Sequence, residues 1–221
     1  LNLDQTKRLK ELIPKDKIVI SESGIYTNDE IIDLDTNAVL IGTSLMNADD
    51  IQKTLCELHR TKIKVCGITN DDDATTCVKE NADLLGFNFY KDSKRYIETS
   101  LAKEIIKNLP NTVQTVGVFV NHTSEEIKNI VSETGIDFIQ LHGDEPDEFT
   151  EEFSNNAIKV FRVEDTAPKD TQLATYAKMF DTFTPEFGGS GTTFNHDLIK
   201  NQRGKIFIAG GITPENIINT L

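Results

Sequence analysis

Lys64-Val65-Cys66-Gly67-Ile68-Thr69-Asn70-Asp71 reads as a strand that ends, turns on a glycine and enters a helix. The run Ile63–Val65 supplies the strand, Thr69 and Asn70 are capping residue types, and Asp71 suits the positive end of a helix dipole. The same order occurs at Ser23-Gly24-Ile25-Tyr26-Thr27-Asn28-Asp29-Glu30 and at Gly211-Ile212-Thr213-Pro214-Glu215. Each copy is Gly-Ile, a capping residue, then an acid. Glycine permits close backbone approach, and the first N–H groups of the following helix have no partner inside it. One copy is equally well a tight turn or an anion seat. Three copies on one face of a barrel favour the binding of a phosphorylated metabolite.

Outward from these turns the chain alternates. Apolar or β-branched runs lie at Ile18–Ser21, Val39–Ile41, Ile63–Val65, Leu84–Phe89, Val113–Val120, Phe138–Leu141, Ile158–Val163, Met179–Phe183 and Ile206–Ala209. Helical patterns fill the gaps at Asn28–Leu34, Asp49–Leu58, Asp71–Glu80, Ser100–Leu109, Ser124–Thr134, Asp147–Phe153, Thr171–Ala177, Asn195–Asn201 and Pro214–Leu221. Thr123 and Glu126 have capping-box spacing, and Gly135 closes the helix that follows. Strand–helix alternation implies βαβ units and a parallel sheet covered on both faces. A (β/α) barrel is favoured over a Rossmann sheet, because no GxGxxG follows a strand and no Walker lysine accompanies Gly188-Gly189-Ser190-Gly191.

Composition narrows the function. Across 221 residues, 23 Lys and Arg oppose 36 Asp and Glu, a formal net charge of −13. That surface repels nucleic-acid phosphates and anionic lipid, so neither is an expected partner, and an anionic substrate needs local help from an Arg, a Lys or backbone N–H groups. Cys56, Cys66 and Cys77 are too scattered for a disulfide scaffold or a zinc site, and no metal is expected. No apolar run is of membrane-spanning length and no leader pattern opens the chain, so the expected setting is cytoplasmic. Two boundaries look like cuts through a longer sequence: Leu1 opens almost directly on an amphipathic pattern, Leu3–Ile13, and the pattern from Pro214 reaches Leu221 with no stop signal.

Chemistry-bearing residues collect at strand ends. Cys66 closes its strand just before a helix start, where it is either a thiolate facing an active site or a small core residue. Asp181 interrupts Met179-Phe180-Asp181-Thr182-Phe183, as a general acid or as a turn cap. Arg95 follows Phe87-Asn88-Phe89-Tyr90 in a loop, able to hold a carboxylate bidentately or simply solvated. Gln140 and His142 flank another strand end, as substrate contacts or as satisfied structural residues. The Gly188–Gly191 loop, between Phe187 and Phe194, is suited to close over a ligand.

Taken together, five segments closely resemble phosphoribosylanthranilate isomerase: Lys64–Thr69; Gly86–Tyr90 with Ser93–Ile97; Gln140–Glu145; Asp181 with Gly188–Phe194; and Ala209–Asn216. The resemblance covers about residues 62–221. Residues 1–60, through Ile20–Ile25 and Leu40–Met46, resemble the last two βα units of indole-3-glycerol-phosphate synthase. The two enzymes occur fused in this order in some bacteria. The resemblance therefore implies a piece of a bifunctional tryptophan-biosynthesis protein. Its fold would be seven βα units of a (β/α)8 TIM barrel at 61–221, preceded at 1–60 by the last two units of another, with the eighth unit of the second barrel lying beyond the chain.

The resemblance also implies roles. The reaction is a cofactor-free Amadori rearrangement of a small phosphorylated sugar–anthranilate. Asp181 would be the general acid and Cys66 the general base. Arg95 would hold the anthranilate carboxylate, with Gln140, His142, Gly189 and Gly191 contacting substrate. Gly210 and Gly211 would bind phosphate through backbone N–H groups. Thr192-Thr193 and Asn195-His196 stand where the family often has Lys-Thr and Asp-Trp. The synthase-like segment retains Glu22-Ser23 and the Gly42-Thr43-Ser44 turn. Two other readings stay open: synthase activity of the bifunctional parent, and an inert phosphate-binding barrel.

Overall fold

A computed structural model describes residues 3–14, 17–22, 24–34, 36, 38–59, 61–166, 168, 173–183 and 193–217. The chain divides into two compact units, Leu1–Thr61 with Arg203–Lys205, and Lys62–Gln202 with Ile206–Leu221.

In the first unit, α1 (Leu3–Lys10) carries Asp4 in its first turn and Lys7, Arg8 and Lys10 in its last, matching the helix dipole at both ends. Two short parallel strands follow, β1 (Ile20–Glu22) and β2 (Ala38–Leu40), in register Ser21↔Val39. Between them α2 (Asn28–Leu34) starts on a reciprocal cap. The Thr27 hydroxyl accepts from the Glu30 N–H at 3.2 Å, and the Glu30 carboxylate accepts from the Thr27 N–H at 2.9 Å. The Gly42-Thr43-Ser44 turn opens a single-turn helix, α3 (Thr43–Met46), whose Ser44 hydroxyl donates to the Ile25 carbonyl at 2.7 Å. Helix α4 (Ile51–His59) buries Leu58, and Asn28 donates to the Leu58 carbonyl at 2.6 Å.

The second unit is built on one seven-stranded sheet, β3 (Lys64–Cys66), β4 (Leu84–Asn88), β5 (Gln114–Phe119), β6 (Phe138–Leu141), β7 (Ala157–Val163), β8 (Ala177–Thr182) and β9 (Ile206–Ile208). Every neighbouring pair is parallel and the spatial order follows the chain. Helices α5 (Asp71–Lys79), α6 (Thr99–Asn108), α7 (Ser124–Thr134) and α8 (Asp147–Glu151) provide the crossovers between β3 and β7. The strands' two-residue period separates two cores. Leu84, Val116, Phe138, Ile158, Val160, Ala177 and Met179 pack together on one face. Leu85, Phe87, Phe119, Ile139, Leu141 and Ala157 pack on the other with the helix residues Ala74, Ala102, Ile105 and Ile127. A strand buried on both faces needs both sets, which is why these runs are continuously apolar. This is the βα-barrel pattern that the strand–helix alternation predicts, carried through seven strands.

The caps behave as their spacing implies. Thr123 and Glu126 form the capping box of α7, and Gly135 ends it in the left-handed region at φ 76°. Two helical expectations are corrected. Of the helix expected over Thr171–Ala177, residues 173–176 are irregular, residues 171 and 172 lie outside the described set, and Ala177 already opens β8. The apolar residues that suggest a helix face seat the strand instead: Tyr176 stacks on Phe138 at 4.2 Å and Ala177 pairs with Ile158. Asn195–Asn201 contains a short 3₁₀ turn, His196–Ile199, with the Asn195 side chain accepting from the Asp197 N–H. Among the described residues no helix is long and apolar enough to cross a membrane.

Candidate active site

Parallel strands in chain order bring all their C-terminal ends to one edge, so residues far apart in sequence become neighbours there. Cys66 ends β3 opposite Gly86 of β4, and the Gly67 and Ile68 N–H groups both donate to the Gly86 carbonyl, at 2.9 and 3.0 Å. Gly67 turns the chain at φ 95°, and a Cβ there would run into Arg95 Cδ. The guanidinium crosses directly over this strand end: Arg95 Nη1 donates to the Cys66 carbonyl at 2.9 Å. The arginine expected from sequence to hold a carboxylate therefore stands beside the cysteine expected to be the base.

The loop carrying Arg95 is held from β4. Asn88 accepts from the Tyr90 N–H at 2.9 Å and donates to the Ser93 hydroxyl at 3.0 Å, and that hydroxyl accepts from the Arg95 N–H at 3.2 Å. The Ile97 N–H returns to the Asn88 carbonyl at 3.0 Å. Asn88 and Ser93 do not emerge from the candidate residues read in sequence. An amide at a strand end five residues before a hydroxyl is the signal that could have found them.

On the far strands a second group converges. Gln140, 2% exposed in β6, places Nε2 2.9 Å from His142 Nδ1. His142 Nε2 in turn lies 3.2 Å from Asp181 Oδ2 at the end of β8, a close approach without an aligned hydrogen bond. Asp181 is 8% exposed. A buried carboxylate beside an imidazole can exchange a proton with a bound ligand at little reorganisation cost. Gln140 Oε1 is buried with no hydrogen-bond partner among the described residues.

Gly210 and Gly211 follow β9 with φ 86° and 61°. Their turn is closed by Asn216, which accepts from the Thr213 N–H at 2.7 Å and donates to the Gly211 carbonyl at 2.8 Å. A cavity of 320 Å³ beyond the ends of β7 and β8 is lined by Val163, Thr182, Phe183, Phe194, Asn195 and Leu198, with Glu164 and Asp165 also contributing; Asp181 is not part of its lining. Gly189 and Gly191 lie outside the described residues. Among the described residues no cluster of three or more His, Cys, Asp or Glu side chains is placed to hold a metal ion.

A buried ion pair was also missed by the sequence reading. Glu145, after β6, and Lys159, on β7, approach to 3.4 Å with side chains 4% and 7% exposed. The two residues are 14 positions apart, and no local sequence pattern links them.

Comparison with known proteins bears on this arrangement. Residues 63–221 match the family described as N-(5'phosphoribosyl)anthranilate (PRA) isomerase, and residues 1–58 match the family described as indole-3-glycerol phosphate synthase. An N-(5'-phosphoribosyl)anthranilate isomerase from Geotalea daltonii is 43% identical over 71% of this chain and 78% of its own length. The tryptophan biosynthesis protein TrpCF of Vibrio cholerae is 32% identical over 98% of this chain and 47% of its own length. The crystal structure of phosphoribosyl anthranilate isomerase from Thermotoga maritima superposes with a TM-score of 0.65 at 37% identity, covering 72% of this chain and 82% of that one. Another structure of the enzyme, in complex with reduced 1-(o-carboxyphenylamino)-1-deoxyribulose 5-phosphate, gives a TM-score of 0.62 at 33% identity over 72% of this chain and 80% of that one. With a family match over residues 63–221 and a relative of 43% identity, this chain belongs to the N-(5'-phosphoribosyl)anthranilate isomerase family.

Proposed function

We propose that residues 61–221 catalyse the Amadori rearrangement of N-(5'-phosphoribosyl)anthranilate to 1-(2-carboxyphenylamino)-1-deoxyribulose 5-phosphate, a step of tryptophan biosynthesis. The observation that carries this reading is the pairing of Asp181 with His142, on the same sheet edge as the Cys66–Arg95 contact, in a chain of this family. Asp181 donates a proton to the ribose ring oxygen. The C1′–O bond breaks, and the nitrogen lone pair closes a C1′=N Schiff base. Cys66 takes the C2′ proton, the C–H electron pair becomes the C1′=C2′ bond, and the nitrogen recovers its lone pair as an enolamine. Tautomerisation removes the C2′ hydroxyl proton and adds one to C1′. C1′ is thereby reduced and C2′ oxidised within one molecule, so the balance requires no cofactor. Arg95 holds the anthranilate carboxylate, Gln140, His142, Gly189 and Gly191 contact the substrate, and the Gly210-Gly211 turn takes the phosphate through backbone N–H groups, which lets a strongly acidic protein accept an anion.

Residues 1–60 we read as the C-terminal end of an indole-3-glycerol-phosphate synthase barrel. This reading is supported by the family match at 1–58 and by similarity to TrpCF along nearly the whole chain. The isomerase reading is tested by following the loss of phosphoribosylanthranilate fluorescence with the intact protein, Cys66→Ala and Asp181→Asn. Each substitution is expected to lower kcat by about 100-fold or more. Near-normal rates in both variants overturn the assigned roles, and phosphate-ester binding without turnover in the unsubstituted protein favours the inert barrel.

A further inference from the structure

The loop that delivers His142 to Asp181 is gripped from underneath by a carboxylate that takes no part in the chemistry proposed above. Glu145 turns back into the protein, and its carboxylate collects backbone N–H groups from two different βα loops. Oε1 accepts from Asn121, after β5, at 2.9 Å, and the two oxygens accept from Gly143, after β6, at 3.1 and 3.0 Å. From the next strand, Lys159 Nζ donates to the Glu145 carbonyl at 2.6 Å and lies 3.4 Å from Oε2. Three consecutive loops or strands thus meet at one side chain.

The backbone around it is shaped for that meeting. Asn121 sits in the left-handed region at φ 53°, and its side-chain oxygen accepts from the Asp144 N–H at 2.8 Å, so each loop bonds the other's backbone. At Gly143 a Cβ would lie 2.7 Å from both the Asn121 nitrogen and Glu145 Oε1. Only glycine lets the two loops close on the carboxylate at that spacing. Gly143 is the residue after His142, and the His142 N–H donates to the Phe119 carbonyl at 2.9 Å, completing the frame from the β5 side.

We infer that Glu145 is a positioning residue for this reaction: by holding the Gly143 N–H, it fixes the imidazole of His142 against Asp181. The inference rests on the isomerase reading above. Burial of a charged pair is weak evidence of net stabilisation, because desolvation offsets most of the attraction. Its use lies in geometry. A carboxylate accepting several N–H groups has few alternative arrangements, and a displacement of about 1 Å at a catalytic group can cost about 100-fold in rate. Arg95 on the β4 loop and the Gly210-Gly211 turn after β9 are held by other contacts, so loss of Glu145 should disturb substrate binding only through His142 and act on kcat more than on KM.

The test uses steady-state kinetics on the intact protein with Glu145→Ala, Glu145→Gln and Gly143→Ala, each in the unsubstituted and the His142→Ala background. Glu145→Ala is expected to lower kcat by about 100-fold, with a smaller rise in KM from the displaced His142. Glu145→Gln, which keeps an acceptor for the N–H groups, should recover part of that loss. In the His142→Ala background the same changes should move kcat by less than about twofold, because the coupled partner is already gone. Gly143→Ala keeps the buried pair chemically intact and probes the same loop if Glu145→Ala fails to fold. An unchanged kcat in Glu145→Gln and Gly143→Ala, an equal loss in both backgrounds, or a rise in KM alone overturns the inference. If Cys66→Ala and Asp181→Asn remain active, the isomerase reading itself fails. If they are inactive while the Glu145 and Gly143 variants are not, only the positioning role fails.

Discussion

Gly210 lies against Asp181 with no room for a side chain: a Cβ on Gly210 would stand 2.7 Å from Asp181 Oδ1 and 2.7 Å from the Thr182 nitrogen. The turn expected to seat phosphate and the carboxylate expected to act as acid are therefore in direct contact. The Ala209 N–H donates to the Phe180 carbonyl at 2.8 Å one residue earlier and locks the two strand ends together.

Gly210→Ala should damage both functions at once. The φ of 86° costs an L-residue about 1–2 kcal/mol, and the new methyl displaces the Asp181 carboxylate. Denaturant unfolding should show the lowered stability, and kinetics should show kcat falling together with a rising KM. A variant that keeps the unsubstituted kcat contradicts the contact.

Arg95→Lys separates charge from geometry. Lysine keeps the positive charge but cannot present two parallel N–H groups to a carboxylate while also reaching the Cys66 carbonyl, as Arg95 Nη1 does at 2.9 Å. KM should rise about tenfold or more, and the loss should be similar with methionine in place of lysine. Full retention of KM by Arg95→Lys would show that charge alone suffices.

The α7 cap makes a prediction about pH. Hydrogen bonds from the Thr123 N–H and hydroxyl hold the Glu126 carboxyl below its ordinary value of 4.5. A carboxyl lowered in the folded state contributes stability above its unfolded value and loses that contribution as pH falls through its folded value. Thr123→Ala should therefore lower Tm by a few degrees at neutral pH, and the gap should narrow as pH is taken below 4.5. Differential scanning calorimetry across that range checks both the sign and the window.

Much of this protein is legible in one dimension because its determinants are local. Strand runs such as Leu84–Phe89 are apolar throughout, since both faces of a parallel strand are buried. The Thr123–Glu126 box is complete within four residues, and the glycine turns announce where strands end. Cys66, His142 and Asp181 stand out for the same reason, each being a polar residue at or near the end of an apolar run, whereas Arg95 lies in a loop beyond one. Local patterns fail where the partner is distant. Thr171–Ala177 carries helix-like spacing, yet in its described part Tyr176 and Ala177 are drawn into strand seating by Phe138 and Ile158.

By itself the sequence determined the alternation of strands and helices, the caps that start and stop them, and the residue types available at each strand end. Only the tertiary structure decided which strand ends meet. Arg95 reaches the Cys66 carbonyl across 29 positions, and Glu145 gathers Asn121, Gly143 and Lys159 into one buried cluster. The reason is physical: strand and helix periodicity act over a few residues, whereas a hydrogen bond to a buried carboxylate is set by the register of neighbouring parallel strands, and that register exists only once the sheet has formed.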